Sequence, residues 1–231
     1  MVITLLFGVI LTLTLPIMSS SKPLAISTDV VLFSIRNERL EVLLVALDSG
    51  CWRLPGGGMA AADDLDGSAL HHLEQQTGVR GVYLEQLYTF GRPERHPSQR
   101  LVSVAYYALV PSEQLRLCEP QTAGLDWFAI TWLPPLTLDH AAIIALAHKR
   151  LAAKLTYSTI ALQFMPERFT LSALQSVYET ILGAALDKRN FRKRVLAMGC
   201  LEATGELDRN GNHRPARLYR ARTPGKVEFV K

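Results

Sequence analysis

The segment Asp187-Lys188-Arg189-Asn190-Phe191-Arg192-Lys193-Arg194-Val195-Leu196 sets five basic side chains among apolar ones at helical spacing. Just upstream, Thr170 can cap a helix reaching Leu182, with Leu171, Leu174, Val177, Tyr178 and Ile181 on one face. Gly183-Ala184-Ala185-Leu186 reads as a turn, and Asp187 can cap the second helix, anchored by Phe191, Val195 and Met198 at i, i+4 and i+7. Leu201–Thr204 and Arg217–Arg222 then bracket a polar loop around residues 208–214. Two helices at a tight turn followed by a two-stranded ribbon is a winged helix-turn-helix layout, whose second helix enters the major groove of DNA. Charge agrees: residues 162–231 carry a net +6 and residues 1–161 a net −2, within a total of +4. The polyanion contact therefore belongs to the C-terminal third.

The remainder has a different rhythm. Thr28–Ile35 and Leu40–Leu47 read as a hairpin across Arg36-Asn37-Glu38-Arg39. Leu54-Pro55-Gly56-Gly57-Gly58 lies in a loop open to close ligand approach. A helix is expected over Ser68–Thr77, strands over Val82–Phe90, Leu101–Val110 and Asp126–Thr131, and a helix over Asp139–Leu155 with Ala142, Ile143, Leu146, Leu151 and Leu155 inward. A short link near Thr156–Pro166 follows. Apolar content of 48% suffices for packed cores, and three separated cysteines suit reduced thiols rather than disulfides or a metal cluster. Val2–Ile17 is apolar and uncharged, without a basic lead and shorter than the ~20 residues of a spanning helix. The expectation is an upstream start-site artefact with Met18 as the true beginning, a cytoplasmic protein, and no stable membrane association.

Gly57-x5-Asp63-x7-His71-His72-Leu73-Glu74-Gln75-Gln76-Thr77-Gly78-Val79 keeps the spacing of the Nudix box and resembles it, as does its lead-in Trp52-Arg53-Leu54-Pro55-Gly56. In the Nudix family the box is a loop-helix-loop whose glutamates bind divalent cations for hydrolysis of a diphosphate. Here the first acid is Asp63, the family's arginine is His71, and its helix glutamates are His72, Gln75 and Gln76. Neutral amides are poor ligands for hard cations. Glu74 lies about 200° around the helix from position 72 and points elsewhere. Adjacent residues on a helix diverge by about 100°, so His71 and His72 are expected as solvated histidines, not as a shared metal site. No cofactor, no metal site and no catalytic residues are expected.

Phe164–Gly183 and Leu186–Arg194, with Gly91-Arg92-Pro93-Glu94-Arg95 and Val102–Leu109, resemble the Nudix-related transcriptional regulators of the NrtR family. The resemblance implies an α+β chain: a Nudix-like α/β/α sandwich followed by a winged helix-turn-helix domain. Its expected parts are an N-terminal extension over 1–22, an effector-sensing domain over 23–156 and a DNA-binding domain over 157–231. It further implies a dimeric repressor of NAD biosynthesis or salvage genes that leaves a palindromic operator when ADP-ribose or a related nucleotide binds. For the effector the candidates are Arg53, Gly56, Gly57, Arg92, Arg95 and Ser103, because arginines and open backbone N–H groups suit a diphosphate; surface salt-bridging is an equal reading of Arg53 and Arg95. Where relatives often carry an Asp-Pro-Arg-Gly-like stretch, this chain has His96-Pro97-Ser98-Gln99. For DNA they are Lys188, Arg189, Asn190, Arg192 and Lys193 on the second helix and Arg209, Asn212, His213 and Arg214 in the wing. The rivals are a slow ADP-ribose pyrophosphatase with a nucleic-acid-binding tail, and a nucleotide-binding module with a nonspecific RNA contact.

Overall fold

The computed structural model describes residues 23–116, 124–208 and 215–229. The expectations for the N-terminal extension, for Cys118 and for Arg209, Asn212, His213 and Arg214 lie outside the described residues.

The first body is a seven-stranded sheet. Strand β1 (Leu24–Arg36) turns into β2 (Arg39–Ala46) through Asn37 and Glu38, whose φ values of 48° and 58° make the left-handed pair a tight hairpin needs. Short strands β3 (Trp52–Arg53) and β4 (Gly56–Gly58) follow, then α1 (Leu65–Thr77), β5 (Tyr83–Phe90), a 3-10 turn at Pro93–Arg95, β6 (Arg100–Leu109), α2 (Ser112–Arg116), β7 (Leu125–Ala129) and α3 (His140–Lys154). Parallel pairing of β1 with β6 over Leu24–Phe33 builds the centre, and the central order is β3-β2-β1-β6-β5.

Residue alternation fixes the layers. On β1, Val30 and Leu32 face α1 and pack with Ala69, Leu73, Val104, Tyr106 and Ala108. Val31 and Phe33 face the other way, packing with Ala105, Tyr107, Ile143, Ala147 and Leu151. Strands covered on both faces read as continuous apolar runs, as these do. The α/β/α sandwich is present.

The second body begins where the expected link would lie. That stretch contains a buried 3-10 helix, Ile160–Phe164, with Ile160, Ala161 and Phe164 in the core. Then come β8 (Phe169–Thr170), α4 (Leu171–Leu182), α5 (Lys188–Ala197), β9 (Leu201–Asp208) and β10 (Ala216–Ala221), with β8, β10 and β9 forming a small antiparallel sheet. Thr170 accepts from the Ala173 N–H at 3.1 Å and Asp187 from the Asn190 N–H at 2.8 Å, so both expected caps form. Gly183 closes α4 at φ 66°. The inter-helix turn is tied by Glu179, whose Oε1 accepts from the Leu186 N–H at 2.8 Å and from Gln175 at 3.0 Å. That backbone N–H, with Gln175, holds the Glu179 carboxyl below its usual range.

Three expectations shift. Helix α1 starts three residues early because Asp64 caps it, accepting the Gly67 N–H at 2.6 Å. On α3 the inward face is Ile143, Ile144, Ala147 and Leu151, leaving Ala142 exposed. Strand β9 runs on to Asp208 rather than ending at Thr204.

Candidate functional site

The glycine loop lies against α1 as the spacing requires, but contacts among its own residues fill the face where carboxylates would stand. Gln76 grips Gly56 on both sides: its Oε1 accepts the Gly56 N–H at 3.1 Å, and its Nε2 donates to the Gly56 carbonyl at 2.9 Å. Arg53 joins the same knot, its Nη1 donating to the Leu54 carbonyl, the Gly56 carbonyl and Gln76 Oε1 at 3.0–3.2 Å. His72 lies within hydrogen-bonding distance of the Gly58 carbonyl, 3.1 Å from Nε2, and is half-buried rather than solvated, because the loop folds over its ring. Gln75 and Asp63 are exposed, and Glu74 pairs with Arg80 away from the loop. Gly56 must be glycine: a Cβ there would stand 2.3 Å from the Thr28 carbonyl oxygen. A Cβ on Gly57 would meet the His72 ring at 2.8 Å.

Beneath the loop lies a buried ionic cluster that the motif does not announce. Asp29, in the middle of β1, accepts from Arg95 Nη2 at 2.9 Å and from the Ser103 hydroxyl. Arg95 Nε donates to Asp139 at 3.0 Å. Arg95 is thus an interior residue with a side chain 1% exposed, not a surface ion pair; a guanidinium can be buried here because two carboxylates flank it. One of its nitrogens, Nη1, is buried without a hydrogen-bond partner among the described residues. Ser103 is fully buried, and its hydroxyl is spent on Asp29. Arg92 is exposed at the start of the 3-10 turn.

His140 completes the cluster. Its Nδ1 accepts the Leu54 N–H at 2.9 Å, which puts the ring proton on Nε2, 3.7 Å from Asp29. Burial pushes its pKa below the ordinary histidine value, more than Asp29 pulls it up, so the ring stays neutral. The structure therefore brings Arg53, Gly56, Gly57, Arg95 and Ser103 around one loop, with Asp29, Asp139, His140 and Gln76 as members the sequence reading missed. The available signal was Asp29: a carboxylate inside an apolar strand needs a partner.

The second surface is the outer face of α5. Lys188, Arg189, Asn190, Arg192 and Lys193 are all exposed, and the ion pairs among the described residues engage none of them. Between the start of α4, α5 and the wing lies a groove of about 960 Å³ lined by Thr170, Lys188, Arg192, Asp208 and Arg217. Such a cationic helix beside a ribbon is a shape and charge match for a nucleic-acid backbone. Arg194, from the same cationic run, is exposed too but leans towards α3 and α4: its Nη2 donates to the Leu155 carbonyl at 3.2 Å, and its guanidinium lies over the Tyr178 ring at 5.4 Å.

Fold and surfaces together define a Nudix domain joined to a winged helix-turn-helix reader. A NUDIX domain model matches residues 26–147, and a model of the NrtR DNA-binding winged helix domain matches residues 161–221. The ADPR responsive transcriptional repressor NtrR of Acinetobacter baylyi is 33% identical over 202 residues, 84% of this chain and 80% of the relative. The crystal structure of Shewanella oneidensis NrtR complexed with a 27mer DNA is similar at TM-score 0.78 and 33% identity, covering 85% of this chain and 93% of that one. The isolated NUDIX domain of the same Shewanella protein, in complex with ADP ribose, is similar at TM-score 0.50 and 32% identity over 56% of this chain and 90% of that one. The chain belongs to the NrtR family of Nudix-related transcriptional regulators.

Proposed function

We propose that this chain is a cytoplasmic transcriptional repressor that binds a palindromic operator as a two-fold dimer and releases it when ADP-ribose occupies the Nudix site. NAD biosynthesis or salvage genes are the expected targets. The division proposed is a sensor over 23–156 and a reader over 157–231. The carrying observation is the double grip of Gln76 on Gly56: an amide that uses both its donor and its acceptor on the loop backbone cannot also serve as an anionic metal ligand. The site keeps the glycine loop and its arginines but not the carboxylates of hydrolysis, so it binds without turning over.

Within it, Arg53, Gly56, Gly57 and Arg92 are the proposed contacts, while Arg95 can offer only Nη1, the nitrogen that makes no hydrogen bond among the described residues. Ser103 acts through Asp29. On the reader, Arg189, Asn190 and Arg192 suit base edges, and Lys188 and Lys193 suit phosphates. Arg209, Asn212, His213 and Arg214 are the proposed wing contacts.

The test is an operator titration by fluorescence anisotropy with and without ADP-ribose, paired with phosphate assays in Mg²⁺ or Mn²⁺. Selective operator binding that weakens with ligand, without turnover, is the expected result. Rapid divalent-dependent hydrolysis with no duplex preference at matched salt would replace this reading with the pyrophosphatase.

A further inference from the structure

Helix α3 touches both surfaces with opposite ends. At its start, Asp139 holds Arg95 and His140 accepts the Leu54 N–H of the glycine loop. At its far end, Leu155 offers its carbonyl to Arg194 of α5, and about two turns earlier His148 donates from Nε2 to the Ile181 carbonyl, 2.8 Å away, at the end of α4. The carbonyls in the last turn of a helix have no intrahelical partner, so His148 satisfies one that α4 leaves open. Between these ends the helix is 15 residues long, about 22 Å, and Ile143, Ile144, Ala147 and Leu151 are each no more than 1% exposed. A helix so enclosed by close packing transmits a push at one end as displacement rather than absorbing it.

We infer that α3 is the rod coupling loop occupancy to the DNA-reading helices, and that Arg194 is a positioning residue, the handle by which the rod holds α5. This rests on the reading of the loop as the effector site and the α5 face as the operator site. A ligand drawing on Arg53 competes with its contact to the Leu54 carbonyl, and an anion at Arg95 Nη1 shares the charge that holds Asp139. The start of α3 then moves, and the carbonyl that Arg194 grips moves with it. Arg194 lies in the cationic run but turns away from the face bearing Lys188, Arg189, Arg192 and Lys193; its task differs from theirs.

The experiment uses the full chain carrying Arg194→Gln and, separately, His148→Ala. Expected is ADP-ribose affinity within twofold of the unsubstituted protein by calorimetry and unchanged salt dependence of operator binding. The factor by which ADP-ribose weakens operator binding, ordinarily 5- to 150-fold for coupled sites, should fall toward one. Release by the unsubstituted factor in both variants overturns the rod.

If the unsubstituted protein neither binds nor responds to ADP-ribose, the functional reading fails, and a ligand-free arm still decides the coupling. Amide exchange of α5 is compared in the protein, His140→Ala, Arg194→Gln and the double variant. The rod requires that His140→Ala alter α5 protection, and that it do so less once Arg194 is gone. Independent, additive effects reject it.

Discussion

At the scale of single residues, the site is specified by what is missing and what replaced it. Gly56 is held to Asp29 in β-pairing, with the Thr28 carbonyl occupying the space a methyl would need. Gly56→Ala should therefore cost about 1–3 kcal/mol by forcing β1 and β4 apart. It should also weaken ADP-ribose binding, both read by urea unfolding and calorimetry; an unchanged unfolding midpoint would show that the loop can yield. His140 gives the pH dependence. Its folded pKa lies below the unfolded value of about 6.5, so the unfolded chain takes up its proton first on acidification. The stability it contributes is present above pH 6.5 and is lost as pH falls through the folded pKa. His140→Gln can still accept the Leu54 N–H but cannot titrate, and the variant should lose less stability than the parent between pH 7 and pH 5. Equal slopes in thermal melts across that interval would assign the acid sensitivity to other groups.

At the scale of elements, α5 sorts its charges by direction. Lys188 and Arg192, one turn apart, line the groove with Arg217. Replacing either lysine or arginine by alanine should weaken duplex binding and reduce the slope of log affinity against log salt by about 0.9 if it neutralises one phosphate; Arg194→Gln should leave that slope unchanged. Anisotropy titrations from low to moderate salt separate the two classes. This division was only partly legible in sequence. The caps Thr170 and Asp187, the turn at Gly183 and the inward stripe from Leu171 to Ile181 follow from local chemistry, and the structure reproduces them. So does the hairpin at Asn37-Glu38. Arg194 counts among the five basic side chains of the run but not among the DNA candidates, and spacing alone does not show that Tyr178 and Leu155 arrive beside it from other elements. Strands β3, β4 and β8 are two or three residues long, too short for any periodicity, and exist because neighbouring strands pair with them. Surface salt-bridging stands as an equal reading of Arg95 in sequence for the same reason: its partners Asp29 and Asp139 lie 66 and 44 residues away.

At the scale of the molecule, the two bodies share one interior. A continuous cluster runs from Val31 and Phe33 through Ile143 and Leu151 to Phe164, Leu174, Phe191 and Val195. The chain end ties them a second time: Thr159 and Glu228 exchange backbone and hydroxyl hydrogen bonds, and Tyr157 stacks on Phe229. At this junction the carboxylate of Glu85, on β5, takes Lys154 of α3 and the hydroxyls of Tyr83 and Tyr107. Burial acts to raise the Glu85 pKa, but the hydrogen bonds from Lys154 and the tyrosines outweigh it and hold the carboxyl ionised. Lys154 Nζ also lies 5.4 Å from the Phe229 ring centroid, so one ammonium serves the sheet and the C-terminal segment. Lys154→Met keeps the stem and deletes the charge, leaving a half-enclosed carboxylate without its cation. A loss of roughly 3 kcal/mol is expected. Because the core is shared, that loss should fall on both bodies together. All three tryptophans, Trp52, Trp127 and Trp132, lie in the first body, whereas α4 and α5 contribute to far-ultraviolet circular dichroism. The two signals should therefore give coincident melting curves in the parent and in Lys154→Met, shifted equally. A fluorescence midpoint that moves while part of the dichroism transition stays in place would mean that the reader melts alone, and that the junction is a contact between independent domains rather than a common core.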